Sequence, residues 1–316
     1  LTGLTAYLET DGDPAILLLP RGAAAPLLRQ LQQWQRLQLV EAPVGALQRQ
    51  RQLPRLLRQL GASLLHSPVT AVPLAAACPT IATVHDLPWC QGAPGERTSV
   101  WRRLATHAAL RRATRIIAPS SFTAHAVRRL LAGANARLRC IPHATPQRSD
   151  RPPTDPATRS GPWLAFGDAR PRKNRARVLA AHRLAQQQCP DLGPLRLLGP
   201  DADYVDEATK LELLQHCRGV VQVPCFEGFG LPVLEAMAHG APLIAADLPP
   251  LRELATGAAL LVDPFDPEAI ATALCRMHAD AELRHRSAVA GVALATAYRP
   301  ARLAAAWRAL HRELCP

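Results

Sequence analysis

Lysine is almost missing from this chain. It stands at 173 and 210 alone, so 35 of the 37 basic residues are arginine. Aromatic residues make up 4% of the sequence and methionine occurs twice. With no helix-turn-helix, zinc or aromatic stacking motif, a nucleic-acid role rests on charge alone and is not favoured. The eight cysteines (78, 90, 140, 189, 217, 225, 275, 315) are scattered, with no Cys-x-x-Cys pair. That argues against a zinc site and a disulfide framework, and for a reducing cytoplasm. No apolar stretch is long enough to cross a bilayer, and the opening residues carry no signal-peptide pattern. The expected location is cytoplasmic, at most peripheral on the inner face of a membrane.

What is present describes a globular α/β chain. Its 316 residues divide most simply into two domains, each able to bury a core. The formal net charge is +12 and the pI about 10.2, which favours an anionic partner. Part of that charge follows composition, since arginine, alanine, leucine and proline are all in excess. Arginines concentrate in 48–58 (LQRQRQLPRLL) and 101–140. Both stretches read as helices with one apolar and one basic face, able to lie on an anionic membrane or simply to face solvent.

Short apolar runs recur through both halves. They are AILLL, SLLHS, TIATVHD, RIIAPS and LRCIPHA in the first, then WLAFG, LRLLG, VVQVP, PLIAAD and ALLVDP. Without strict alternation, they suit parallel strands covered on both faces by helices. The pattern predicts two doubly wound sheets with ligand beyond the carboxyl ends of the strands. Residues 149–162 (SDRPPTDPATRSGP) have linker composition. The expected division is an N-terminal domain over 1–150, a linker over 151–162, a second domain over 163–296 and a last helix over 297–316.

The densest signal is EGFGLPVLEAMAHG at 227–240. Glu227 and Glu235 flank a glycine-rich turn that runs into a helix. Gly228 and Gly230 are expected to allow positive φ and close approach to a ligand. Pro232 suits the first helical position, and Gly240 a left-handed cap at the far end. Unpaired N–H groups at such a helix start favour a phosphate, and carboxylates beside it suit sugar hydroxyls. The plain alternative is a strand–turn–helix corner with two solvated glutamates. Upstream, Arg170, Arg172 and Lys173 lie in a basic loop (FGDARPRKN, 166–174) before a helix with Asn174 as the expected N-cap. Strand TIATVHD ends at His85-Asp86, and Ser120 or Ser121 is placed to cap the helix that follows.

Together these residues resemble the retaining glycosyltransferases of family 4, over about fifty residues from 227 onward and again at PRKN (171–174) and His85-Asp86. The resemblance implies a GT-B architecture, two Rossmann-like domains facing a cleft. It implies transfer of a hexose or deoxyhexose, mannose-type favoured, from a GDP- or UDP-type nucleotide-sugar onto a glycan or lipid-linked acceptor. Neither metal nor cofactor is implied. Glu235 would hold ribose hydroxyls and Glu227 a sugar hydroxyl, with His85 against the donor sugar. Backbone groups at Gly228, Phe229, Gly230 and Leu231 would meet sugar and phosphate. Arg172 and Lys173 would offset the departing diphosphate. Asp168-Ala169 stands where the family often has another basic residue, in a loop one residue short, and Arg170 is the candidate to replace it. Gly3 falls where the family's first glycine-rich loop passes into a helix. The first strand, expected just upstream, is missing from the sequence. The family commonly has an asparagine–glycine turn where this chain has His143-Ala144, so no role is assigned there, and capping accounts for the family's serine at 120 or 121. A GT-B nucleotide-sugar epimerase and a non-catalytic glycan- or nucleotide-sugar-binding module are the alternatives.

Overall fold

The computed structural model describes residues 2–9, 14–20, 22, 31, 34–145, 155 and 158–315. Of the expected linker, 151–154 and 156–157 lie outside the described residues. The first half contains strands β1 (Ala15–Leu19), β2 (Leu37–Glu41), β3 (Leu65–Ser67), β4 (Thr80–Thr83), β5 (Arg115–Ala118) and β6 (Leu138–Cys140). The second contains β7 (Trp163–Phe166), β8 (Leu195–Leu198), β9 (Gly219–Gln222), β10 (Leu243–Ala246) and β11 (Ala259–Val262). Every apolar run read from the sequence holds one of these strands, and every pairing among the described residues is parallel.

The second half forms one sheet in the order β11-β10-β9-β7-β8. The chain leaves β7 to one side for β8 and returns on the other for β9, so the order reverses between β7 and β9. The first half departs from a single sheet. Strands β1 and β2 pair with each other, and β3-β4-β5-β6 form a separate sheet. Among the described residues, no ladder joins the two. Strand β1 is wholly apolar yet only half-buried along its length, as suits a strand with a neighbour on one side.

Packing explains why both sheets hold. In the second half Trp163 is fully buried, with its indole N–H donating to Leu192 O at 2.9 Å. Gly219 lies against that ring, where a Cβ would come within 2.6 Å of it. In the first half, alternate residues of β5 go to opposite faces of the sheet. Ile116 joins Ala82, Val84, Leu110 and Val127, while Ile117 joins Ile81, Ile141 and Leu310. Leu310 belongs to the last helix, Pro300–Leu314, which returns from the second half to cover this sheet. Glu313 of that helix meets Arg115 at 2.5 Å and Arg139 at 3.0 Å. Residues 48–58 fall within helix Ala46–Gln59, which buries Leu53, Pro54 and Leu57. Leu310→Ala should lower stability by about 3 kcal/mol, the usual cost of a buried leucine cavity. Urea unfolding followed by circular dichroism measures it.

Candidate active site

Ligands of open parallel sheets sit beyond the carboxyl ends of the strands, where the strand order reverses. Here that crevice lies between the loops after β7 and β9, and those loops carry the motif residues. Lys173 ends the loop from β7, and Glu227 lies in the loop from β9. Their Nζ and Oε2 atoms are 3.0 Å apart, with both side chains 14% exposed. Lys210, on helix Glu207–His216, reaches Glu235 at 3.1 Å and Glu207 at 2.9 Å. The two lysines of the chain thus each hold one glutamate of the motif. Burial pushes the Glu235 carboxyl up, against the opposing pull of Lys210. Burial pulls the Lys210 ammonium down, and Glu235 with Glu207 more than offsets it, so its net shift is upward.

Between the glutamates the turn feeds helix Leu231–Ala238. Gly230 precedes it with φ 108, and Gly240 follows it with φ 61, both in the region glycine tolerates. Two expectations need correction. Pro232 occupies the second helical position, not the first. Gly228 does not have positive φ; it is glycine because a Cβ there would lie 2.3 Å from His85 O and 2.8 Å from Asp86 Cβ. The close approach is between the two halves of the protein. Phe229 is buried and Leu231 exposed.

The loops after β4, β5 and β6 form the opposite wall. Ser120 caps helix Ser121–Leu130 by accepting from Thr123 N–H, and its hydroxyl donates to Gly228 O at 2.6 Å. Thr123 donates to the same oxygen at 3.1 Å. Capping therefore does not account for Ser120 fully. His85 is exposed but has both ring nitrogens engaged. Its Nε2 lies 2.7 Å from Pro68 O, which can only accept, so Nε2 carries the proton. Its Nδ1 lies 3.1 Å from His143 Nε2, so the two rings share a hydrogen bond. His143 packs edge-on to Phe229, with centroids 5.2 Å apart. Burial, with His85 adding to it, brings the His143 pKa down to about 4. His143, given no role from sequence, is the partner that orients His85. No local pattern marks it, because the contact joins residues 58 apart.

The basic loop is more occupied than its sequence suggests. Arg172 is buried across the divide, 2.7 Å from Glu96 and 3.4 Å from Asp86. Arg170 folds onto Asp168 at 2.6 Å, and this hydrogen-bonded pair holds the Asp168 carboxyl down to about 2. Asn174 precedes its helix but makes no side-chain cap. It takes φ 61, and its amide donates to Val223 O and Pro264 O, tying the loop to β9 and β11. Gly3 lies in helix Thr2–Glu9, which packs on Pro300–Leu314. Among the described residues, no cluster of three or more His, Cys, Asp or Glu could hold a metal ion.

Likeness to known proteins extends over both halves of the chain. The family model described as Glycosyltransferase Family 4 matches residues 3–147, and Glycosyl transferases group 1 matches 183–280. The O-antigen chain mannosyltransferase B of Escherichia coli is 34% identical over 103 residues, which are 33% of this chain and 26% of that protein. The chain thus spans about a quarter of that relative's length. Sucrose-phosphate synthase from Thermosynechococcus elongatus superposes with a TM-score of 0.77 at 19% identity, over 98% of this chain and 91% of that one. HepE from Anabaena, solved with UDP and glucose, gives 0.73 at 19% identity, over 99% and 95%. The fold is GT-B, and the likeness in both halves supports a glycosyltransferase of that type.

Two outcomes follow from the wall between the halves. His143 stays neutral in the fold but takes a proton in the unfolded chain near its ordinary value of 6.5. The unfolded state then binds more protons, so stability falls as pH drops from about 6.5 toward about 4. His143→Asn should flatten that part of the slope in urea melts across this range. Gly228→Ala should force the halves apart, read as a larger radius of gyration by small-angle scattering with the melt still cooperative.

Proposed function

We propose that the protein is a retaining, metal-independent glycosyltransferase moving a hexose, mannose-type favoured, from a nucleotide-sugar to a glycan or lipid-linked acceptor in surface polysaccharide synthesis. The observation that carries the reading is the pairing of Lys173 with Glu227 and of Lys210 with Glu235 around one glycine turn and helix start. A helix N-terminus favours a phosphate, and the paired carboxylates are acceptors for hydroxyls. The mannose preference draws on the O-antigen mannosyltransferase relative, and the nucleotide-sugar on the UDP and glucose held by HepE.

In this reading Glu235 accepts from ribose hydroxyls and Glu227 from a sugar hydroxyl. Lys173 turns from Glu227 toward the diphosphate, and backbone N–H groups from Gly228 to Leu231 meet its oxygens. Arg172 holds the wall through Asp86 and Glu96, and lends its charge to the same field. The acceptor oxygen bonds to the anomeric carbon as the bond to the diphosphate breaks, on the same face of the sugar. The acceptor proton passes to the departing diphosphate. The growing charge there is offset by the fixed cations, the usual route to a lower barrier. His85, with its ring nitrogens committed, offers the sugar its ring edge. In the same reading Gly3 and Arg170 would border the donor site. The chain works in the cytoplasm, peripheral on the inner face of a membrane.

Thermal-shift titration against GDP-mannose, UDP-glucose, UDP-GlcNAc and dTDP-rhamnose tests the donor site. Ligand at one hundred times its Kd should add ~2.7 kcal/mol of stability. A shift for one nucleotide, lost in Glu235→Ala, supports the reading, and no shift with any donor overturns it. Retention is checked separately, since a product of inverted anomeric configuration by NMR refutes it.

A further inference from the structure

Beyond the cleft, one face of the first half has no use in the chemistry above. From Arg97 to Ser149 the sequence holds eleven arginines and no Asp or Glu. Some of these are spoken for. Arg115 and Arg139 pair with Glu313, Arg137 bonds carbonyls of 110–113, and Arg112 bonds Leu74 O. Arg97, Arg102, Arg103, Arg111 and Arg129 meet no carboxylate among the described residues.

Three of the five gather around an apolar tip. Helix Val100–Arg112 projects from the body, so that residues 100–105 are exposed on every side. Val100 is 67% exposed, Trp101 80% and Leu104 55%. A large apolar group standing in water beside Arg97, Arg102 and Arg103 is unfavourable for a free surface. Next to this tip lies a cavity of about 310 Å³ between the projecting helix and the end of helix Ser121–Leu130. Arg103 and Arg129 line it, over a floor of Trp89, Ala126 and Leu130. The Arg103 guanidinium stacks on Trp89 at 5.5 Å.

We propose that this face docks on an anionic phospholipid bilayer, with Trp101, Val100 and Leu104 in the interface and a lipid phosphate between Arg103 and Arg129. Cationic charge draws the face to the surface, and the aromatic and aliphatic tip fits the boundary between headgroups and acyl chains. Nucleic acid would answer the charge but leave the tip unexplained. The other arginine-rich stretch is a poorer candidate, because helix Ala46–Gln59 turns Leu53 and Leu57 into the core. The proposal names the face behind the peripheral location given above, and it does not depend on donor chemistry.

Flotation of the full chain with vesicles tests it, without donor present. The vesicles are phosphatidylcholine alone, or phosphatidylcholine with phosphatidylglycerol in equal parts. Binding should require phosphatidylglycerol. Arg103→Glu with Arg129→Glu should weaken it at least about fivefold per site, the effect of ~1 kcal/mol per basic group near an anionic surface. Trp101→Ser with Leu104→Ser should weaken it with no change in net charge. Both pairs are exposed and should leave the thermal melt and any nucleotide-sugar shift unchanged, which separates this result from failure of the donor reading. Absence of binding to either vesicle overturns the proposal. So does binding that ignores the Trp101 and Leu104 changes and is displaced by single-stranded DNA, which marks a nucleic-acid surface.

Discussion

The contact at Gly228 is the constraint on which the rest of the site depends. Its carbonyl takes two hydroxyl donors, from Ser120 and Thr123, and its missing side chain leaves room for the His85 carbonyl. A buried carbonyl needs a partner, and here the partners come from the opposite half of the molecule. The same few residues therefore fix the height of the helix Leu231–Ala238 relative to the wall holding His85. Ser121 adds to the register by donating its backbone N–H to Glu253 at 3.0 Å, one helix further on. Glycine at 228 is a requirement of assembly.

Charge is the second constraint. Arg172, Lys173 and Lys210 are all well shielded from water, and an isolated ammonium or guanidinium in that position is strongly disfavoured. Each has a carboxylate within reach: Asp86 and Glu96 for Arg172, Glu227 for Lys173 and Glu235 for Lys210. Buried pairs of this kind add little net stability, but removing one partner is costly. They suit a site that must exchange one anion for another. In the proposed function, a diphosphate entering beside Lys173 would replace one negative neighbour by a stronger one and free Glu227 for a hydroxyl. Lys210 has no such exchange to make, because Glu207 and Glu235 already share it.

Local pattern revealed what depends on neighbouring residues. The apolar runs located the strands other than β2, and the glycine–proline turn located helix Leu231–Ala238. Strand β2 (LQLVE) escaped because its polar residues break the apolar run, and only pairing with β1 makes it a strand. The separation of β1 and β2 from β3 was equally hidden, since sheet membership is a matter of tertiary pairing. Within the site, Glu227 and Lys173 were legible as residues but not as a pair. Asn174 looked like a cap by position, yet two carbonyls from the loops just after β9 and β11 claim its amide. His143 was discounted because it breaks a family turn, and its contact with His85 exists only once the loops after β4 and β6 lie side by side.

One helix joins the two faces of the first half. Its N-terminus, at Ser120, touches the glycine turn, and its C-terminal turn carries Arg128 and Arg129. Basic residues there also complement the negative end of the helix dipole, so local stability alone favours them. That accounts for two arginines and not for the apolar tip beside them, which belongs to a different helix and gains nothing from the dipole. Arg129 lies nine residues along the chain from Ser120, about 13.5 Å at 1.5 Å per residue. With Ser120 against Gly228, a bilayer held at Arg129 would lie no more than about that far from the glycine turn. This is short enough for an acceptor anchored in the bilayer to reach the cleft by its headgroup. The rigidity of one helix would then set the working distance between surface and chemistry, with no need for a moving part.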